Sequence, residues 1–594
     1  MNILIIVGIG GFLLWLATRI YPYWIGRVFG ENDDNPPPSE RFADGSDYVK
    51  TPTQVVFAHH FASIAGAGPI VGPIIALAYG WGPAWLWIVL GGIFYGAVHD
   101  MTAMFVSVRE GGKTIAEIAR RELGKFGYLL FVAFLLLVLS LVNAIFLKLS
   151  ANALSSSYPL AALGLEDGQT MFRTVIQHGV SMARIGGIAT TSVIIMTFIS
   201  PMMGWLIHRR GVGTLPIFLI ASVVCILSVG AGFRWPVSIV SNTWMLVLAA
   251  YVCFACWIPV WIIIQPRDFM NVQILYGGLG LLVVGTLVAG ISGGEGSAMQ
   301  LPLSSIASGT VSKGPFWPIM FITIACGAIS GFHSLVATGT TVKQIPRESD
   351  CRRVGYNAMI LESFLALLVL VAVGSQMNTA SYDANMSSSG GVILTFAVGC
   401  GGLFSQLGIP MAIGCVLGIL IIEGFLVTTL DTAVRLGRYL FEELWVCLAG
   451  GENGQPPPIF RHHGFNTACT VGLMLLFTYS EKAYAALWPF FGAGNQLIGA
   501  LTLTTVTMWL LRRGKRGGKV WFAAIPAVFM VATAVSALGW LVAKKWADES
   551  AGDERFIIVG TGILLLLLSG GFVLVAVSRV RGALRNEVDS VHTS

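Results

Sequence analysis

The residues of this sequence most able to do chemistry are ionisable groups inside long apolar runs. Asp100, Glu362 and Glu423 lie within such runs, and Asp431 stands at the boundary of the run that contains Glu423. A carboxylate removed from water is costly unless it is paired or protonated, which suits a group that takes up and releases protons. We predict Glu362 as the proton-coupling acid, followed by Asp100 and its neighbour His99, and then Asp431. The alternative is a buried polar contact between helices.

The segment HHFASIAGAGPIVGP, residues 59–73, combines polar side chains with residues that interrupt helices. Pro69 and Pro73 lack the N–H that would bond the preceding turn, and Gly66 and Gly68 let the backbone unwind. Lipid tolerates such a break only where it lines a cavity, and in transporters the freed backbone groups hold ions and charged substrates. The alternative is a kinked, Gly-packed structural helix. The predicted substrate contacts here are His59, His60, Ser63, Gly66, Gly68 and Pro69.

A second polar and Gly-rich segment, CGAISGFHSLVATGTT at residues 326–341, ends a later apolar run. In the topology given below it runs opposite to the first segment, as the partner helices of an inverted repeat must. We predict further substrate contacts at Gly331, His333 and Ser334. Small-residue helix packing, with His333 satisfied inside the bundle, is the alternative. The run at 242–264 competes as the repeat partner.

Two neighbouring amides, Asn495 and Gln496, lie in the sequence FGAGNQL. They can hydrogen-bond across a helix bundle or line a pathway, and the sequence does not separate these roles. The nine cysteines lie mostly in or beside apolar runs without clustered His ligands, so we predict no metal site.

The elements that position these groups are membrane-spanning helices. Of the 594 residues, 55% are apolar and only 11% charged, and the mean hydropathy is +0.76. The excess apolar sequence forms runs of roughly 17–25 residues, the length that crosses a hydrocarbon core of ~30 Å. The sequence therefore predicts an all-α integral membrane protein with about 15 transmembrane helices. The runs lie at 2–18, 55–79, 84–107, 127–147, 188–207, 214–232, 242–264, 273–291, 316–340, 355–374, 411–430, 465–480, 483–511, 520–543 and 556–577.

The basic residues predict how these helices are oriented. With the N-terminus outside and the C-terminus inside, 27 of the 36 Lys and Arg residues fall on the inner side. If a further apolar stretch at 392–407 crossed the membrane, the numbers of Lys and Arg residues on the two sides would become nearly equal. We therefore predict that this stretch is re-entrant or interfacial. The net charge of +6 then reflects loops that face anionic lipid, and we expect no nucleic-acid partner.

Several motifs occur in a fixed order along the chain: HHFASIAGAGPIVGP, YGAVHDM, PRDF, GFHSLVATGTT, TTLDTAVRLGRYL and FGAGNQL. Together they resemble the carbon starvation protein A (CstA) family over about residues 50–510. The resemblance implies a bacterial cytoplasmic-membrane carrier with an inverted-repeat core of the amino acid, polyamine and cation superfamily. On this basis we divide the chain into an N-terminal transmembrane anchor with its inner loop (1–50), a transporter core (51–431) and C-terminal helices (432–594).

The resemblance implies import of peptides or pyruvate-like carboxylates during carbon starvation. We predict proton symport by alternating access, with substrate near the second and ninth spans and Glu362 titrating. We expect no cofactor besides the coupling ion, which is a proton or, alternatively, sodium. Peptide and pyruvate both carry a carboxylate, so the choice between them stays open, as does the oligomeric state.

The sequence bears on three rival functions. A nucleotide-driven pump needs a P-loop, and Gly112-Lys113-Thr114 lacks it because position 107 is Ser. An intramembrane serine hydrolase could use Ser292, in a GxSG sequence, with His333 as base, but the match is short and we predict no enzyme. A channel or nutrient sensor on a transporter scaffold remains the main alternative, and saturable uphill uptake distinguishes a carrier from it.

Overall fold

The structure is a computed structural model of the whole chain. It describes residues 1–45, 47–177, 179–294, 296–305, 314–388, 391–449, 455–478, 481–549 and 554–592.

The chain folds into helices joined by short connections. The first half contains α1 (Ile3–Phe29), α2 (Pro38–Arg41), α3 (Thr53–Ala65), α4 (Gly68–Ala76), α5 (Trp81–Gly91), α6 (Ala97–Arg109), α7 (Ile115–Leu154), α8 (Gly186–His208), α9 (Thr214–Arg234), α10 (Ser241–Ala255) and α11 (Ile264–Ser292). The second half contains α12 (Phe321–Thr323), α13 (Phe332–Gly339), α14 (Asn357–Gln376), α15 (Thr379–Ser387), α16 (Gly391–Ser405), α17 (Met411–Ala449), α18 (Pro458–Arg461), α19 (His463–Thr478), α20 (Glu481–Arg512), α21 (Gly518–Trp546) and α22 (Glu554–His592).

One small sheet interrupts the helical pattern in the described part of the chain. Strands β1 (Ser157–Pro159), β2 (Thr174–Gln177) and β3 (Val180–Arg184) lie between α7 and α8. They form an antiparallel sheet in the order β1-β3-β2. The all-α prediction is otherwise confirmed.

Within the described residues, ten helical segments are long and apolar enough to cross a membrane, one of them formed by α5 and α6 together. The bent pair α3–α4 raises the count to eleven. The protein is therefore a multi-pass membrane protein. The other four of the fifteen predicted spans correspond to α10, α19, α20 and the interrupted segment at 316–340. Helices α10 and α19 have only 15 and 16 residues. Polar and Gly residues occupy the middle of α20.

The stretch predicted to be re-entrant or interfacial forms the 15-residue helix α16, which packs against α14 and α17. At ~1.5 Å per residue it measures about 22 Å, shorter than a hydrocarbon core of ~30 Å. Helix α10 is equally short and is counted among the predicted spans, so the absence of a crossing at α16 stays a prediction.

Two interrupted helices lie side by side at the centre of the bundle. Helices α3 and α4 meet at an angle of 40°. In the second interruption, residues 324–331 separate α12 from α13 without helical structure. Helix α4 packs on α12, and α13 packs on α3 and on α6. Helices α11, α14, α17 and α20 surround this pair, so the fold places both predicted Gly-rich segments in the buried interior.

Candidate functional site

The first break occurs at Gly66, where α3 ends. Its φ of 40° and ψ of −154° are open to glycine but strained for residues with a side chain. A Cβ at this position would also lie 3.2 Å from Thr429 Oγ1 and 3.3 Å from the Phe146 ring. The break predicted from the sequence is thus confirmed, and Gly66 is the residue that permits it.

Replacing Gly66 with Ala should therefore destabilise the protein. We expect the free energy of unfolding to fall by about 1–3 kcal/mol because alanine is forced into this backbone region. Thermal unfolding of the purified variant measures the change. Gly8→Ala is the matched control, because a Cβ at Gly8 of α1 would meet no atom within 4 Å. Equal unfolding temperatures for the two variants would contradict this account of the break.

The second break is held open by Asn495 of α20. Its side-chain Oδ1 accepts a hydrogen bond from the Phe332 backbone N–H at 2.8 Å, and its backbone carbonyl accepts one from Gly331 N–H at 3.0 Å. The Asn495 side-chain Nδ2 donates to Ser330 Oγ at 2.9 Å. The neighbouring Gln496 donates to the Phe321 carbonyl at 2.6 Å. Both amides therefore satisfy backbone groups that the interruption leaves free.

The two breaks pack directly against each other. The Cα of Gly68 faces the side chain of Cys326, so closely that a Cβ at Gly68 would overlap it. Gly72 packs in the same way against the Thr323 carbonyl. Small residues on α4 therefore allow the backbone of one interrupted helix to touch the other.

Four of the predicted residues come together beside the second break. Asp100 accepts hydrogen bonds from His99 Nδ1 at 2.7 Å and from His333 Nδ1 at 2.8 Å, one on each carboxylate oxygen. The opposite ring nitrogen, His333 Nε2, lies 3.4 Å from Glu362 Oε2. All four side chains are fully buried. Helices α6, α13 and α14 thus supply one continuous chain of ionisable groups.

The hydrogen-bond geometry of these four side chains restricts where a proton can reside. Because Asp100 accepts from His333 Nδ1, a neutral His333 presents a lone pair at Nε2 toward Glu362. Neither oxygen of Glu362 nor His333 Nε2 has a hydrogen-bond partner among the described residues. A proton on Glu362 or on His333 would let one donate to the other, so the contact is suited to holding a single proton.

A second buried cluster surrounds Arg267 of α11. Its guanidinium lies 2.6 Å from Asp431 and 3.3 Å from Asp268, and it donates to the Tyr251 hydroxyl at 2.6 Å. Tyr251 in turn donates to Asp431 at 3.0 Å, and His59 Nδ1 contacts Asp268 at 2.9 Å. The cluster joins α3, α10, α11 and α17 in the protein interior.

Sequence reasoning missed Arg267 and Asp268. The charge count assigned Arg267 to an inner loop at 265–272, whereas the structure begins α11 at Ile264 and buries Arg267 completely. It also buries Asp431, which the sequence placed at a span boundary. The signal available was the adjacent pair of opposite charges in PRDF, directly before an apolar run.

The remaining predicted residues have separate partners. His60 contacts Thr341 Oγ1 at 2.8 Å, and Ser63 lies 3.4 Å from Thr432 Oγ1. Ser334 donates to the Gly331 carbonyl at 2.7 Å and lies 3.0 Å from Thr502 Oγ1. Pro69 lies beside Gly327 of the second break. All the predicted substrate contacts are buried, and they line the two interrupted helices without meeting at one point, so their role in binding remains a prediction.

The geometry bears on two further sequence hypotheses. Ser292 ends α11 on the exposed surface and donates to the Ala289 carbonyl, whereas His333 is fully buried. The two residues do not pair, so the hydrolase dyad is not assembled. Within the described residues, Cys326, His333 and Glu362 place donor atoms within 4.8 Å of one another. This is one ligand short of the four protein ligands of a structural zinc site. The absence of a resident metal stays a prediction.

Comparison with known proteins identifies relatives along most of the chain. The sequence model described as "Carbon starvation protein CstA" matches residues 2–390 and 375–537. A peptide transporter CstA of Bacillus subtilis (strain 168) is 28% identical and aligns over 97% of this chain and 96% of its own. A pyruvate/proton symporter BtsT of Escherichia coli (strain K12) is 28% identical over 88% of this chain and 79% of its own. Among solved structures, a manganese transporter of Eremococcus coleocola covers 91% of this chain and 99% of its own at 10% identity, with a TM-score of 0.49.

Proposed function

Because the chain belongs to the carbon starvation protein CstA family, we propose that this transporter imports short peptides or pyruvate-like carboxylates by proton symport with alternating access. The names of its relatives cover both substrate classes, and one of them names the proton as the coupling ion. We propose a role as a carrier without enzymatic activity, in the cytoplasmic membrane of a bacterium under carbon starvation.

The observation that carries this proposal is the contact between Glu362 and His333. A buried carboxylate that faces a ring nitrogen without a hydrogen bond can take up a proton at small structural cost. His333 lies on α13, directly after the second break, and small movements of that half-helix alter the contact. Proton uptake and substrate access are thereby linked through one helix.

The topology we propose keeps the N-terminus outside, the C-terminus inside and about fifteen crossings, of which several are short or interrupted. In this arrangement α3 runs from the inner surface up to the break at Gly66, and α17 ends on the inner side. An inverted-repeat core, with the two interrupted helices as related elements, accounts for their opposite directions.

Uptake into proteoliposomes tests the proposal. Labelled pyruvate and a labelled dipeptide are supplied with a pH gradient or a sodium gradient imposed separately. We expect the pH gradient to drive accumulation of at least one of them, up to roughly tenfold per pH unit for one proton, because each unit supplies about 1.4 kcal/mol. Accumulation driven by the sodium gradient alone would show that sodium, and not the proton, is the coupling ion. Equilibration without accumulation would favour the channel, and binding without movement would favour the sensor.

A further inference from the structure

A stripe of polar side chains on α17 leads from the Arg267 cluster to one surface of the protein. Thr428, Asp431, Arg435, Arg438 and Glu442 follow at intervals of three or four residues, so they share one helix face. Thr428 and Asp431 are fully buried, the two arginines are 3% and 4% exposed, and the side chain of Glu442 is 26% exposed. The stripe spans about 21 Å at ~1.5 Å per residue.

The surface end of this stripe is covered by a short extended segment, residues 47–51, which we name the strap. Its backbone pairs with the turn that follows α13: Val49 N–H donates to the Lys343 carbonyl at 3.1 Å, and Thr51 N–H to the Gln344 carbonyl at 3.0 Å. The strap therefore rests on the chain directly beyond the second interrupted helix. These two hydrogen bonds would transmit a displacement of α13 to the strap.

The strap places the Asp47 carboxylate into a buried basic pocket. The Tyr439 hydroxyl donates to Asp47 Oδ1 at 3.0 Å, and Arg435 NH1 lies 3.7 Å from the same oxygen. Lys343 is 9% exposed and lies between two aromatic rings, with its Nζ 4.6 Å from the centre of the Tyr439 ring and 5.3 Å from that of Tyr48. Two basic side chains and one phenol hydroxyl thus surround this carboxylate.

Both arginines of the stripe retain an unused donor. The Nε atoms of Arg435 and Arg438 are buried and have no hydrogen-bond partner among the described residues. A buried guanidinium N–H without an acceptor is costly, and an incoming anion can satisfy it.

We propose that Lys343, Arg435 and Tyr439 form a carboxylate-binding site at the inner end of the α17 stripe, which Asp47 occupies in this structure and the substrate carboxylate occupies when the strap opens. The inference rests on the proposed function, because it requires an anionic substrate that leaves along α17. The bound Asp47 provides the chemical argument, since it already makes the contacts that a carboxylate ligand would make. Displacement of Asp47 by substrate would release the strap, so arrival at this site would favour opening.

Reactivity of a cysteine on the strap tests this inference without requiring transport. Val49→Cys is introduced where Cys253 and Cys469, the two half-buried cysteines, are replaced by Ser. The rate of maleimide labelling then reports strap opening in the purified protein. We expect millimolar pyruvate to raise this rate several-fold and its uncharged amide to leave it unchanged. Adding Asp47→Asn should raise the basal rate roughly tenfold, as expected when a hydrogen bond to a charged group is lost, and should abolish the pyruvate effect.

Two further variants check the assignment. Tyr439→Phe removes a single hydroxyl and should also speed labelling, with less risk to folding than replacement of Arg435. Glu40→Gln is the matched control, because it breaks the exposed pair of the strap residue Lys50 at 2.7 Å without touching the pocket. Wild-type labelling rates in Asp47→Asn, no response to either pyruvate or a dipeptide, or an equal response to the uncharged amide of pyruvate would each overturn the inference. A protein that imports neither substrate could still pass this test, and an active symporter could fail it.

The same reporter should show a defined pH dependence. Burial by itself raises the pKa of Asp47, but the charges of Lys343 and Arg435 and the Tyr439 hydroxyl, with Arg438 beyond them, hold the pKa below its ordinary value. A lowered pKa means that the contact is fully present above the ordinary Asp pKa of about 4 and is lost as pH falls through the folded value. Opening of the strap, corrected for maleimide chemistry, should therefore stay constant down to about pH 5. The carboxyl of Glu443 on α17 also interacts with Lys343, so the pH series is measured in a Glu443→Gln background. A rise in opening between neutral pH and about pH 5 in that background would overturn the role of Asp47.

Discussion

Replacing Glu362 with Gln is expected to abolish proton-driven accumulation while leaving exchange of substrate across the membrane intact. Glutamine keeps the size of the side chain and can still hydrogen-bond to His333 Nε2, but it cannot release a proton. Under an inward pH gradient, the ratio of internal to external substrate should fall from roughly tenfold per pH unit to about one. Counterflow of labelled against unlabelled substrate should continue near the wild-type rate.

Glu423→Gln is the matched control for that experiment. Glu423 is also a buried carboxylate, on α17, but it lies outside the chain formed by His99, Asp100, His333 and Glu362. We expect this variant to retain accumulation. Undiminished accumulation by Glu362→Gln would show that another group carries the proton, and loss of exchange together with accumulation would indicate a structural role for Glu362.

Replacing Arg267 with Gln should have the largest effect on stability. The change leaves the Asp431 and Asp268 carboxylates buried without their cation, and breaking a buried ion pair in this way costs about 3–5 kcal/mol. Unfolding of the purified protein by SDS in mixed micelles measures the loss. The double variant Arg267→Gln, Asp431→Asn should recover part of it, because two neutral amides can hydrogen-bond to each other.

A surface ion pair provides the comparison for the Arg267 experiment. Lys113 lies 2.8 Å from Glu117 and the two side chains are 49% and 40% exposed, so Lys113→Gln should change the free energy of unfolding by less than about 1 kcal/mol. Similar losses for Lys113→Gln and Arg267→Gln would mean that the buried cluster is not held by its charges.

The sequence identified His99, Asp100, His333 and Glu362 individually, because an ionisable residue within an apolar run is conspicuous. It could not predict that they touch. More than 200 residues separate Asp100 from His333. Their meeting depends on how α6, α13 and α14 pack, which hydropathy does not encode. The break at Gly66 was predictable for a local reason, since Gly and Pro act on the backbone where they stand.

The burial of Arg267 was not predicted from the sequence, for a different physical reason. Hydropathy places a charged residue outside the membrane because an unpaired charge there is costly. Arg267 pairs with its sequence neighbour Asp268 and with Asp431 of α17, which is close only in space. These partners make the charge acceptable inside the bundle. The difference between the fifteen predicted spans and the ten to eleven long apolar helices of the described residues also has a physical reason. An apolar run predicts the length of a buried segment but does not predict whether its helix is continuous.

The contact between Gly68 and Cys326 has a consequence for how this sequence can evolve. Neither position is independent, because a side chain at 68 would occupy the volume that the Cys326 side chain fills. Substitutions at the two positions are thus tolerated as a pair: a larger residue at one requires a glycine at the other. Two segments more than 250 residues apart are in this way subject to a single selective constraint.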